Sequence, residues 1–284
     1  MRSRFFSVVS CLILTATGIA SVEAASLSQQ RQYYDEAKRA LAKGDSGPYR
    51  QYASALRDYP LTPYLAYDEL TNRLKSASNA EIEKFLAEHG DLPQANWMKL
   101  RWLRWLAERG DWKPFLDHYD PALNFTELDC LYGQYQLSHG LTAEGNATAE
   151  KLWLVGKSQP NACDPLFARW AASGQLTEQR RWQRAKLAVE AGNYGLANHL
   201  IKNMPTLGER GKLLVEVAQK PQLLKQTARF AATDEAMGDV VGLGLRRLAH
   251  PRGLREGAAE GLDEVADELA HPLLRRRREV PLDV

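Results

Sequence analysis

Residues 187–197 read LAVEAGNYGLA, and the order of those residues decides the fold. Leu187 and Ala188 sit in a helix-favouring run. Gly192 follows, then Asn193. A glycine takes the left-handed position that ends a helix without a Cβ penalty. An Asn or Asp just after it caps the next helix by accepting from the first free N–H groups. The same order recurs as LAKGD at 41–45 and LAERGD at 106–111. Each copy predicts a helix, a tight break and a second helix, which is an αα-hairpin. Repeated hairpins stack into a solenoid. The three copies are unevenly spaced, so the expected fold is all-α, an irregular superhelix (solenoid) of stacked αα-hairpins. A compact helical bundle is the alternative.

Outward from these breaks the chain keeps a helical period. Ile82, Phe85, Leu86 and His89 follow i, i+3, i+4, i+7. Met98, Trp102, Trp105 and Leu106 make one stripe, widened by Trp97, Leu100 and Leu103. This helix is expected to be apolar over most of its circumference and sandwiched between neighbours. No strand-length alternation of Val, Ile or Thr is present. DYPLTPYLAYDEL (58–70) carries Pro60 and Pro63 and reads as a fixed corner, because each proline pushes the residue before it out of the helical region. Tyr59, Tyr64 and Tyr67 are expected to pack around it. NMPTLGERG (203–211) reads as a second corner.

The chain has 284 residues and a formal charge of +2. That length suits one large domain or two ordinary ones. Without a basic excess there is no compositional support for nucleic-acid binding. The histidines are scattered, none at metal-ligand spacing, and no CxxC occurs, so no metal and no cofactor is expected.

The first residues differ from the rest. Arg2 and Arg4 precede a largely apolar stretch from Phe5 to Ala20, and Val22-Glu23-Ala24 resembles a cleavage site. Residues 1–24 therefore read as a signal peptide cut between Ala24 and Ala25. The stretch is short and diluted by Ser and Thr for a membrane span, so no stable anchor is expected. Cys11 leaves with the signal, and Cys130 and Cys163 remain. Export to an oxidising compartment makes a disulfide between them the default, with two free buried cysteines as the alternative. Closing a loop of about 34 residues gives at most about 4 kcal/mol. Neither cysteine has a basic partner nearby in sequence, so neither reads as a nucleophile.

Other candidates have plain readings. Trp97, Trp102, Trp105 and Trp112 are indoles of the kind that stack on sugars, but their helical spacing reads as core. Lys38, Arg39, Arg180, Arg181 and Arg184 read as solvated helix faces, with anionic peptidoglycan as the functional alternative.

From about Gln30 to about Ala249 the chain resembles the N-terminal superhelical part of soluble lytic murein transglycosylases. DYPLTPYL (58–65), KLWLVGKSQPNACDPLF (151–167) and LAVEAGNYGLA (187–197) carry the resemblance. It implies periplasmic location, peptidoglycan glycan strands as partner, and a disulfide at the positions of Cys130 and Cys163. It also implies cleavage of the glycan without water, leaving a 1,6-anhydro product. In that chemistry one glutamate acts as acid and then base. The family's Glu-Ser, Gly-Leu-Met-Gln and Ala-Tyr-Asn motifs do not occur here. No catalytic residue is carried over, and the chain by itself is expected to be inactive. The alternative is a non-enzymatic helical scaffold for periplasmic proteins or glycan.

The domain reading is thus a signal peptide at 1–24, a superhelical domain at 25–249 and a low-complexity tail at 250–284. From Gly238 onward only Ala, Gly, Pro, Arg, Leu, Val, Asp, Glu and His appear. All nine can be encoded by codons beginning with G or C. The tail is therefore expected to be out-of-frame translation, with a genuine low-complexity extension as the alternative. Its Arg275–Arg278 run is not read as a nucleic-acid or membrane patch. Residues beyond about 235 are expected to be mobile.

Overall fold

A computed structural model describes residues 25–249. The signal-peptide reading, Ala24 included, and the tail at 250–284 lie outside the described residues. Thirteen α-helices follow one another among the described residues: α1 (Leu27–Leu41), α2 (Gly47–Gln51), α3 (Thr62–Asn72), α4 (Asn79–His89), α5 (Pro93–Arg109), α6 (Trp112–His118), α7 (Thr126–Ser138), α8 (Thr142–Trp153), α9 (Asp164–Ala172), α10 (Glu178–Glu190), α11 (Tyr194–Ile201), α12 (Gly208–Gln219) and α13 (Glu235–Ala249). The described residues contain no strand. The chain divides into two compact units, one ending at Trp102 and the other beginning at Leu103.

The hairpin breaks form as the residues dictate. Gly44, Gly110 and Gly192 are all left-handed, with φ of 81°, 73° and 75°. After Gly192 the Asn193 N–H reaches the Ala188 carbonyl at 2.7 Å, and the Gly192 N–H reaches Val189 at 3.0 Å. This paired closure satisfies carbonyls that the helix end leaves open. The same pair recurs at Gly44 and Gly110. The capping half of the expectation holds less evenly. Asn193 Oδ1 accepts from the Leu196 N–H at 3.2 Å and caps α11. Asp45 accepts from the Gly47 N–H at 2.8 Å. Asp111 makes no capping bond; its carboxylate turns to Arg109, 2.7 Å away. Two further left-handed glycines, Gly140 and Gly174, close α7 and α9, and the sequence reading missed both.

In the first unit Tyr34, Ala37 and Leu41 of α1 pack with Leu56 and Leu65. The proline corner forms in part. Tyr59, before Pro60, lies outside any helix and tilts against Tyr34 at 5.4 Å. Thr62, before Pro63, already opens α3, where a proline in the first turn is tolerated, and Tyr67 meets Phe85 at 6.4 Å. In the second unit α10–α13 share one apolar core that includes Trp182, Ala185, Val189, Leu214 and Val240. The corner at 203–211 is held by Glu178, which accepts the backbone N–H groups of Thr206 and Leu207, each at 2.8 Å.

Two expectations need correction. Helix α5 buries a wide apolar arc as expected, but Trp97 does not belong to it. Met98, Trp102, Leu103 and Leu106 are fully buried, but Trp97 is 54% exposed. At about 100° per residue, Trp97 shares its arc with Arg101, Arg104 and Glu108 rather than with Met98. Residues 235–249 form a packed helix, not a loose end. Helix α13 buries Met237, Val240, Val241, Leu243 and Leu248. Its Asp239 accepts from Trp182 Nε1 at 2.7 Å and from Lys186 at 2.8 Å. Arg247 donates to the Val189 and Ala218 carbonyls at 3.0 and 2.8 Å, placing a cation at the C-terminal ends of α10 and α12.

Candidate functional site

Two regions concentrate polar chemistry, one in each unit. In the second unit Cys130 on α7 is bonded to Cys163, which ends a short 3₁₀ turn (Asn161–Cys163) just before α9. Their Cα atoms are 4.9 Å apart and both residues are fully buried. Gln134 Nε2 donates to the Ala162 carbonyl at 2.7 Å and holds the turn against α7. Leu152, Leu166, Phe167 and Trp170 close around the sulfurs. Buried and bonded, this pair is a staple and offers no nucleophile.

Arg184 lies beside it, and the structure corrects its reading as a solvated residue. It is 4% exposed. Its guanidinium sits 4.1 Å from the Trp153 ring centre and 5.8 Å from that of Phe167. One nitrogen donates to the Lys157 carbonyl at 3.2 Å. Burial lowers its pKa to about 10, which leaves it charged at neutral pH. The electron-rich faces of the rings attract the guanidinium and stand in for part of the water it loses. Arg180 is half-buried, bonded to Glu150 at 2.8 Å and seated over Trp170. Arg181 donates to the Leu176 carbonyl at 3.0 Å. Only Lys38 and Arg39 of the five are exposed helix-face residues.

The tryptophans also separate. Trp102 is buried and donates to Asn79 Oδ1 at 3.1 Å. Trp112 packs edge-on against Phe115 at 5.5 Å and tilts on Tyr135 at 5.3 Å. Trp105 carries Arg109 over its ring at 5.4 Å. These three serve packing, and Trp97 alone of the four stands mainly in solvent.

The first unit holds a groove of about 410 Å³ between α2–α3 and α4. Tyr49, Leu70 and Phe85 supply its apolar lining. Along one wall Arg73 Nε donates to both oxygens of Glu69, at 2.8 and 2.9 Å. The same guanidinium reaches Glu81 at 2.7 Å. Glu69 is buried, and its charge is met chiefly by the Arg73 Nε–H shared between its two oxygens. Glu81 also completes the capping box of α4 with Ser78. Its carboxyl is held down at about 2, first by the hydrogen bond from Arg73 and then by those from Ser78. The sequence reading missed this groove. The signal was present: Glu69 and Arg73, and Lys84 and Glu88, are i, i+4 pairs on consecutive helices.

Among the described residues no group of three His, Cys, Asp or Glu side chains is placed to hold a metal ion. No described helix is long and apolar enough to cross a membrane.

Comparison with known proteins places this architecture. A family profile described as cucumovirus coat protein matches residues 131–236. That span is less than half the chain, and here it runs through helices α7 to α13. The soluble lytic murein transglycosylase of Escherichia coli K12 is 34% identical over 224 residues, covering 78% of this chain and 34% of that protein. The structure of a lytic transglycosylase from Pseudomonas aeruginosa, an inactive mutant, is 62% identical with a TM-score of 0.77, over 87% of this chain and 42% of that one. The 70-kDa soluble lytic transglycosylase of Escherichia coli is 29% identical with a TM-score of 0.69, over 92% of this chain and 43% of that one. The chain thus spans about a third to two fifths of the length of these relatives. Along its helical region the chain is a homologue of the soluble lytic murein transglycosylases and shares their all-helical fold.

Proposed function

We propose that residues 25–249 serve as the non-catalytic superhelical part of a periplasmic soluble lytic murein transglycosylase, acting in peptidoglycan cleavage and turnover. The observation that carries this is the 62% identity, with a TM-score of 0.77, to a lytic transglycosylase over 87% of the chain. In this reading residues 1–24 export the chain and are removed before Ala25. Export then supplies the oxidant for the Cys130–Cys163 bond. No residue between 25 and 249 is assigned a catalytic role, and neither metal nor cofactor is invoked. The helices hold and orient peptidoglycan glycan strands.

The test is to express the chain with its first 24 residues and recover it from the periplasm. Mass spectrometry should find Ala25 at the N-terminus and no free thiol. The purified chain should be retained by murein sacculi without releasing 1,6-anhydro products. Release of such products would overturn the non-catalytic assignment. Failure to be retained, together with specific capture of a periplasmic protein, would favour the scaffold reading instead.

A further inference from the structure

The groove of the first unit has an unequal distribution of hydrogen-bonding capacity. Arg73, Glu69 and Glu81 largely satisfy one another, and the second oxygen of Glu81 accepts from both the N–H and the hydroxyl of Ser78. Two cations on the groove are not engaged in this way. Arg50 of α2 lies 4.0 Å from Glu69, and its side chain is 71% exposed. Lys84 of α4 lies 3.9 Å from Glu88 and is 73% exposed. Ion pairs at that distance and exposure are weak and exchange readily with other partners. The same groove carries the apolar lining of Tyr49, Leu70 and Phe85. The volume, about 410 Å³, falls within the range of small-molecule sites, roughly 300–1,000 Å³.

We propose that this groove binds a small carboxylate-bearing ligand, with Arg50 and Lys84 receiving the carboxylate and Tyr49 and Phe85 the carbon skeleton. The loosely held groups, Arg50, Lys84 and Glu88, sum to one positive charge. The forked guanidinium of Arg50 suits a carboxylate geometrically, and Lys84 adds a mobile point charge. Resting on the functional reading above, the ligand class is a peptidoglycan fragment. The carboxylate belongs either to a muramyl sugar or to the end of a short peptide.

Calorimetric titration of the full chain with three probes tests this. They are a peptide-free muramyl disaccharide, a short cell-wall peptide alone, and neutral chitobiose. At least one carboxylated probe should bind, more weakly as salt rises, and chitobiose should not. The double substitution Arg50→Ala and Lys84→Ala should weaken binding by about tenfold or more, as for loss of charge-assisted hydrogen bonds. Arg50→Glu with Lys84→Glu should abolish it. Both side chains are exposed, so the melting temperature should stay put and report that the fold is intact. Equal binding by the variants, equal binding of chitobiose, or no binding of either carboxylated probe would overturn the proposal. Retention by sacculi is measured in parallel. If retention persists while the probes fail, the groove assignment falls and the functional reading stands. If retention fails while a carboxylated probe binds through Arg50 and Lys84, the reverse holds.

Discussion

Arg184 shows what a single residue decides in this molecule. It stands at 4% exposure over Trp153, and its charge is met by ring faces and the Lys157 carbonyl. Arg184→Ala should cost about 2–4 kcal/mol, because it removes the packed stem and the guanidinium together. Arg184→Met should cost much less, within about 1 kcal/mol, because a buried charge is removed while the volume is kept. Urea midpoints of the two variants check the contrast. Tyr119 gives a second residue-scale prediction. Its hydroxyl donates to Asp129 at 2.6 Å. Burial first, and then that bond, push its phenol above the ordinary value of 10.0. An acid with a raised folded pKa supports the fold below its unfolded pKa and loses that support as pH rises. Stability should therefore fall above about pH 10. Tyr119→Phe should flatten that fall and cost about 1–2 kcal/mol at neutral pH, since Asp129 loses a donor. Melting temperatures at neutral and alkaline pH measure both effects.

At the scale of elements, the hairpin breaks and the α3–α4 junction carry the argument. A Cβ at Gly192 would meet nothing within 4 Å, so Gly192→Ala costs only the left-handed backbone, about 1–2 kcal/mol. A Cβ at Gly145 would come within 2.5 Å of Leu137, where α8 lies close on α7. Gly145→Ala should therefore cost more than Gly192→Ala despite its ordinary helical backbone, and thermal melts of the two variants rank them. The α3–α4 junction rests on Arg73 bridging Glu69 and Glu81. Glu81 is held at about 2 against an ordinary 4.5, so its support is present above about pH 4.5 and lost as pH falls toward 2. Arg73→Gln should lower the melting temperature at pH 7 and weaken its dependence on pH over that acid window. An unchanged acid slope would count against the bridge. The breaks were legible in LAKGD, LAERGD and LAVEAGN because a glycine's φ and a cap's bond are settled within five residues. The turn of Asp111 toward Arg109 was not legible, because two acceptable partners competed for one carboxylate.

At the scale of the molecule, the disulfide ties α7 to the start of α9 inside the second unit. Cys130→Ala with Cys163→Ala should lose up to about 4 kcal/mol by the loop-entropy argument, read as a shift in urea midpoint at constant slope. The wild-type chain under reductant should shift as far only under conditions that open the core, because both cysteines are fully buried. By itself the sequence determined the all-helical class, the hairpin breaks, the two corners and the pairing expected of Cys130 and Cys163. Each of these follows from rules that act over a few residues or from simple counting. Even the exposure of Trp97 was implicit in the helical period, which sets it beside Arg101 and Arg104, although a count of apolar residues hid it. Only the tertiary structure decided that Arg184 is buried and that Arg50 and Lys84 share one groove. Those facts depend on side chains 17 to 34 positions away in sequence, Phe167 and Trp153 for Arg184 and Lys84 for Arg50. Helical periodicity records which face of a helix is apolar, but not which partner that face meets.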